Sequence, residues 1–196
     1  MTTETNIRSM LSAELQQVPC ANKLVNEFWI PRTNERADLV EVGPGLRAFE
    51  IKSQHDSLRR LPRQIEAYGR LFDQCSLVVA ERHAAKAESL VPGWWGFAVV
   101  LPGECLQIEH VRSADENENV DSETLVRLLW RGEVQAALAR LGRESSSGRF
   151  AMWIQLLESV ETTELKSIVR SALLNRIPPQ LDGRKLRKQS IPQVAL

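Results

Sequence analysis

The sequence predicts an α/β protein, with a mixed β-sheet flanked by helices and an α-helical C-terminal extension. Three observations carry that prediction. Residues 36–52, RADLVEVGPGLRAFEIK, read as two strands joined by a tight Gly-Pro-Gly turn, the pattern of a hairpin. SLVVAE at 76–81 is the continuous apolar run of a buried strand, and a helix-patterned stretch separates it from the hairpin. Antiparallel strands followed by a crossover helix and another strand indicate a mixed sheet. From Ser122 onward, apolar residues recur at helical spacing.

Composition bounds the function classes. The chain has 196 residues, 43% hydrophobic and 26% charged, enough for one good core. Lys plus Arg and Asp plus Glu both number 25, so a nucleic-acid partner would require charge segregated along the chain. No apolar run approaches the roughly 20 residues needed to span a bilayer. MTTETNIRSMLSAEL lacks the basic start and apolar core of a secretory signal. Cys20, Cys75 and Cys105 are isolated, as expected of reduced thiols in a cytoplasmic protein. His55, His83 and His110 are dispersed, which speaks against zinc.

Taken in order, residues 5–17 form a helix with Thr5 or Asn6 as cap and a stripe of Ile7, Met10, Leu11 and Leu15. LVNEFWI (24–30) is the first strand, with Leu24, Asn26, Phe28 and Ile30 on one face and Glu27 beside Val25 and Trp29. The hairpin strands follow at about 36–42 and 46–52. SQHDSLRRL reads as a loop and residues 62–73 as a helix that Pro62 opens. Leu61, Ile65, Tyr68, Leu71 and Phe72 supply its core stripe. ERHAAKAESLVP is a short helical connection between the buried strand and further strands at 95–102 and 106–111.

This order divides the chain into a core at 1–112, an acidic linker at 113–121, a helical extension at 122–175 and a basic tail at 176–196. The extension reads as two helices, 122–142 and about 149–175, with Ser122 capping the first and Gly142 ending it. RESSSGR is the loop between them. The tail, with Arg184, Lys185, Arg187 and Lys188, has no period and is expected to be extended or partly disordered.

The chemistry concentrates in the hairpin. Glu50 and Lys52 lie two apart and share a strand face. If Gly43, Pro44 and Gly45 form a three-residue loop, Val42 faces Leu46 and Asp38 falls opposite Glu50. A two-residue loop would slip the register and turn Asp38 away. Facing carboxylates repel, so such a pair among Val, Leu, Phe and Ile suggests a cation between them. Two carboxylates suit Mg²⁺, with Mn²⁺ as substitute, and the backbone carbonyl of Ile51 is a plausible further ligand. A metal there would activate water for phosphodiester hydrolysis, with Lys52 offsetting charge in the transition state. The same residues also suit a plain salt-bridged hairpin in which Lys52 neutralises Glu50.

Asp38, followed after eleven residues by Glu50-Ile51-Lys52, resembles the signature of the PD-(D/E)XK nuclease superfamily. Gln64 to Tyr68, QIEAY, resembles the QxxxY element of RecB-like and Cas4-like exonucleases. Stretches from about residue 20 to 142, including FEIKSQHDSLRRLPRQIEAY and LLWRGEVQAAL, are similar to a little-characterised bacterial family of nuclease-like proteins in that superfamily. Ala37 stands where the signature has proline. The resemblance implies a restriction-endonuclease-like core (helix, three antiparallel strands, helix, strand) and a Mg²⁺-dependent nuclease, most readily a deoxyribonuclease. It implies metal ligation by Asp38 and Glu50, with Lys52 as the catalytic lysine. Gln64 would orient the lysine, water or phosphate, while Tyr68 packs nearby or touches DNA. Such nucleases often add an acidic residue from the first helix or adjoining segment. Glu14 and Glu27 are the candidates, and Glu27, inside an apolar strand, is preferred.

Arg36, Arg59, Arg60 and Arg63 cluster near the site in sequence and can grip phosphate; a solvated helix face accounts for any one of them equally well. Ser53, His55 and Asp56 could line the entrance. Trp94, Trp95, Trp130 and Trp153 read as core or interhelical packing. The GRKLRK run (183–188) could contact a nucleic-acid backbone or simply solubilise. A protein partner or a second copy could dock on the C-terminal helices. The alternatives to a free-standing nuclease are a catalytically silent nucleic-acid- or protein-binding module with this fold, and a subunit active only with partners.

Overall fold

The hairpin is the axis of the fold. In the computed structural model, residues 3–17, 22–103, 106–145 and 148–176 are described, together with the backbone of 181–182. Helix α1 (Glu4–Gln16) precedes three antiparallel strands, β1 (Lys23–Trp29), β2 (Arg36–Val42) and β3 (Leu46–Lys52). A 3-10 turn over Leu58–Arg60 and helix α2 (Leu61–Gly69) cross to β4 (Gln74–Ala80), which pairs with β3 in parallel. Helix α3 (Ala84–Glu88) leads to β5 (Gly96–Leu101), parallel to β4, and β6 (Gln107–Arg112) returns antiparallel. With the short β7 (Leu181–Asp182) parallel to β1, the order across this mixed sheet is β6-β5-β4-β3-β2-β1-β7.

Both faces of the sheet are covered. Ile7, Leu11 and Leu15 of α1 pack with Leu39, Phe49 and Ile51 on one face. On the other face, Leu61, Tyr68 and Phe72 pack in the same cluster as Val40, Ala48 and Leu77. The alternation along β3 thus turns Phe49 and Ile51 toward α1, and Glu50 and Lys52 toward α2.

The hairpin register pairs Val42 with Leu46 and Leu39 with Phe49, as a three-residue Gly43-Pro44-Gly45 loop demands. Gly43 leaves no room for a side chain, since a Cβ there would stand 2.3 Å from Asn22 Oδ1. Asn22 is held in place by its bond to Glu41 (2.5 Å).

Strand β1 departs from simple alternation. Glu27 has φ 55°, a left-handed conformation that costs a non-glycine residue about 1–2 kcal/mol. That single residue inverts the faces, so Val25, Phe28 and Ile30 join the α2 side while Leu24 packs on the α1 side. The expected common face of Leu24, Asn26, Phe28 and Ile30 is therefore broken at Glu27.

Several boundaries shift for local reasons. Thr3 caps α1 by accepting from Asn6 N, rather than Thr5 or Asn6. Helix α2 stops at Gly69, leaving Leu71 and Phe72 in the following turn. Among the described residues, the extension contains four helices: α4 (Ser122–Val126), α5 (Arg131–Arg140), α6 (Arg149–Leu157) and α7 (Thr162–Arg176). Asp121, not Ser122, caps α4. The chain breaks at Trp130, which is extended (φ −74°, ψ 161°), and Glu133 accepts from Trp130 N (2.7 Å) to start α5. The apolar spacing runs across this break, which is why periodicity alone reads one helix. Gly142 (φ 68°) ends α5, with Arg143 N bonded to Leu138 O, the six-to-one closure that favours glycine.

Helices α4–α7 pack on the same cluster as the sheet, through Leu125, Val126, Leu138, Met152, Leu165 and Val169. The acidic stretch 113–121 is strapped down by Asn117, whose side chain donates to the carbonyls of Gly69 and Phe72. Trp95 is buried and stacked on Tyr68 at 5.5 Å. Cys75 is free and buried, with burial pushing its thiol well up. Cys20, Cys105 and the basic run Arg184, Lys185, Arg187 and Lys188 lie outside the described residues.

Candidate metal centre

Four carboxylates, those of Glu4, Glu27, Asp38 and Glu50, and the Lys52 amine meet where the hairpin opens, at the end opposite its loop. Glu50 is 1% exposed. Its carboxylate accepts from Lys52 Nζ, from Tyr68 Oη and from Gln64 Nε2 (2.6 Å). Burial raises its pKa, while the charge of Lys52 and those three donors oppose the rise. The spacing of Gln64 and Tyr68, one helical turn apart on α2, delivers both donors to one carboxylate. Gln64 Oε1 is buried without a hydrogen-bond partner among the described residues, an acceptor aimed at no protein donor.

Asp38 sits one step beyond the last ladder pair, Leu39 with Phe49, and continuing that register places it across from Glu50. Its Oδ2 accepts from Ile51 N at 2.7 Å. The N–H and C=O of one strand residue point to the same side, so the Ile51 carbonyl faces the same gap. Burial, and then the charge of Glu50, push the Asp38 carboxyl up to about 8.

The left-handed backbone at Glu27 brings a third carboxylate in. Single oxygens of Glu4, Glu27 and Asp38 all lie within 4.8 Å of one another. Glu27 is 16% exposed and pairs with Arg8 (2.9 Å) and Arg36 (3.3 Å). Glu14 is elsewhere, half-exposed and bonded to His110 at 2.7 Å, so of the two acidic candidates only Glu27 reaches the site. Glu4 escaped sequence reasoning because an acid in the first turn of a helix already has an ordinary role there. Its one signal was its place at the start of the helix that covers the hairpin.

The arginines separate from these carboxylates. Trp29, Asn34, Glu35, Arg36, Arg60 and Arg63 line an open cleft of about 470 Å³. Glu35 is buried and binds Arg60 at 2.7 Å, with Arg63 at 4.0 Å. Glu35 was invisible in the PRTNE turn, because its burial is made by the chain that returns over it. Arg36 connects the cleft to the carboxylate cluster through Glu27. Tyr68 is fully buried, with the Arg36 carbonyl 3.3 Å from its hydroxyl. A ring with no exposed surface cannot touch DNA, which corrects that part of its expected role and leaves it as a support for Glu50. Ser53 donates to Asp56 through both N and Oγ (2.7 and 2.5 Å), and His55 is exposed beside Gln54. A wider cleft of about 620 Å³ lies at the hairpin's loop end, between Gly45 and α7, away from these carboxylates.

The molecule is thus an α/β protein with a buried carboxylate–lysine site at the open end of a hairpin. The family described as bacteriophage P4 protein cII matches residues 2–190, and the chain belongs to that family. Protein cII of Enterobacteria phage P4 is 34% identical over 68 residues, 35% of this chain and 26% of that protein, so the match spans about a quarter of the relative's length. Among solved structures, the SPO1766 protein of unknown function from Silicibacter pomeroyi shares 21% identity at a TM-score of 0.41, covering 60% of this chain and 72% of that one.

Proposed function

We propose that this protein is a Mg²⁺-dependent nuclease acting on DNA, built on a restriction-endonuclease-like core. The observation that carries the reading is a half-buried Asp38 that feels the charge of the buried Glu50, with Lys52 against Glu50. The order α1-β1-β2-β3-α2-β4 supports the core assignment.

The donor set fits the ion. Asp38, Glu50, the Ile51 carbonyl and Glu27 are hard oxygen donors of the kind Mg²⁺ and Mn²⁺ take. Bound there, the ion would polarise a phosphoryl oxygen and lower the pKa of a bound water. The chain's own residues do the rest. Asp38 would hold the ion as a carboxylate, its proton passing to solvent on loading. Gln64 and Tyr68 hold the Glu50 carboxylate in one orientation. Lys52, 9% exposed at its side chain, supplies positive charge where negative charge develops on the phosphate. Arg36, Arg60 and Arg63 offer planar phosphate donors beside the site.

The test is cleavage of labelled single- and double-stranded DNA with Mg²⁺ or Mn²⁺, compared with Asp38→Ala and Lys52→Ala. Equal metal-dependent cleavage by all three proteins would defeat the assignment. A subunit that acts only with a partner is the second reading. It draws on Phe150 and Ile154, exposed one turn apart on α6. Mn²⁺ binding without cleavage by the isolated chain would favour it.

A further inference from the structure

Arg8 lies on α1, one turn after Glu4. Its Nη2 donates to Glu27 Oε1 at 2.9 Å and also to Glu4. Its Nε is buried with no hydrogen-bond partner among the described residues. One guanidinium therefore bridges a helix carboxylate and a strand carboxylate. Pairing with Glu4 alone would be an ordinary i,i+4 contact of about 0.3–0.5 kcal/mol. The reach to Glu27 is different, because Glu27 turns inward on a left-handed backbone that only a strong surrounding constraint sustains.

The same two carboxylates converge with Asp38, their oxygens within 4.8 Å. Oxygens on opposite sides of an octahedral ion with bonds of 2.0–2.1 Å stand about 4.2 Å apart. Three ligands of one such ion cannot all lie opposite one another, and adjacent oxygens stand about 3 Å apart. The three carboxylates must therefore draw together to share an ion, and Arg8, bonded to both Glu4 and Glu27, competes for them.

We propose that Arg8 is a competing internal cation: it neutralises Glu4 and Glu27 until a divalent ion enters, and must then withdraw. This rests on the metal reading above. Arg8 has a route out, since its side chain is 22% exposed. Arg36 stays as the second charge on Glu27, so Glu27 is not left bare when Arg8 leaves. The first turns of α1 thereby sense whether the site is loaded.

The experiment is calorimetric titration of Mn²⁺ into the wild type, Arg8→Gln, Arg8→Met and Asp38→Ala, with thermal unfolding of each protein. Removing the competitor should tighten Mn²⁺ binding about tenfold, one broken charge-assisted contact, and widen the melting-temperature gap between apo and Mn²⁺-loaded protein. Binding by either folded Arg8 variant that is equal to or weaker than wild type would overturn the proposal, because Arg8 would then be organising the ligands. Wild type and Asp38→Ala binding alike, or neither binding, would defeat the metal reading itself and this proposal with it. Wild type binding where Asp38→Ala does not, with Arg8 variants no tighter, would defeat this proposal alone.

Discussion

Asp38→Asn isolates the electrostatic cost stored at the centre. Burial and the neighbouring Glu50 push the Asp38 carboxyl from its ordinary 3.8 to about 8. Between those values the folded protein holds a proton that the unfolded chain has released. Stability therefore falls as pH rises, by about 1.4 kcal/mol per unit. From pH 5 to pH 7 this one group should take away about 2.7 kcal/mol. The asparagine amide has no proton to lose, and its oxygen can still accept from Ile51 N. In EDTA, the variant should thus gain on wild type by about 2.7 kcal/mol across those two pH units. For a chain of this length that is a relative melting shift of about 5–11 °C. Thermal or urea unfolding at pH 5, 6 and 7 measures it. Parallel pH dependences for the two proteins would refute the picture of a proton-holding Asp38. Saturating Mn²⁺ should reverse the order by stabilising wild type selectively through linkage.

Further outcomes follow from the same geometry. Lys52→Met should reduce DNA cleavage by about 10²–10³-fold, the cost of removing one positioned charge-stabilising group, while circular dichroism stays native. Tyr68→Phe takes one of three donors from the buried Glu50 carboxylate. Its pKa should rise, moving the onset of Mn²⁺ binding to higher pH, with about 1–3 kcal/mol of stability lost; an unmoved binding profile would contradict the donor role. Arg60→Ala with Arg63→Ala should weaken DNA binding evenly across sequences and flatten its salt dependence, measured by fluorescence anisotropy. Gly43→Ala drives a Cβ against Asn22 and should cost about 1–3 kcal/mol in urea unfolding, yet leave Mn²⁺ affinity intact, because the loop is at the far end of the hairpin.

The hairpin was legible because its signals are local. Gly-Pro-Gly fixes the loop length, and loop length fixes the register from Val42 with Leu46 to Leu39 with Phe49. Gln64 and Tyr68 were legible for a similar reason, since a helical turn puts them on one face. The four-helix extension was only half legible. Its apolar spacing continues through Trp130, and the break there shows only as a Glu133 capping contact.

What the sequence by itself determined is the α/β order, the paired carboxylates with their lysine, and the helix that supports them, all products of short-range periodicity. Only the tertiary structure decided that Glu27 turns inward while Glu14 does not. It alone brought Glu4 and Arg8 to the strand, placed Glu35 beneath the arginines and sealed Tyr68 from solvent. Those outcomes depend on which distant surfaces bury one another and on one left-handed residue, and no local pattern encodes either.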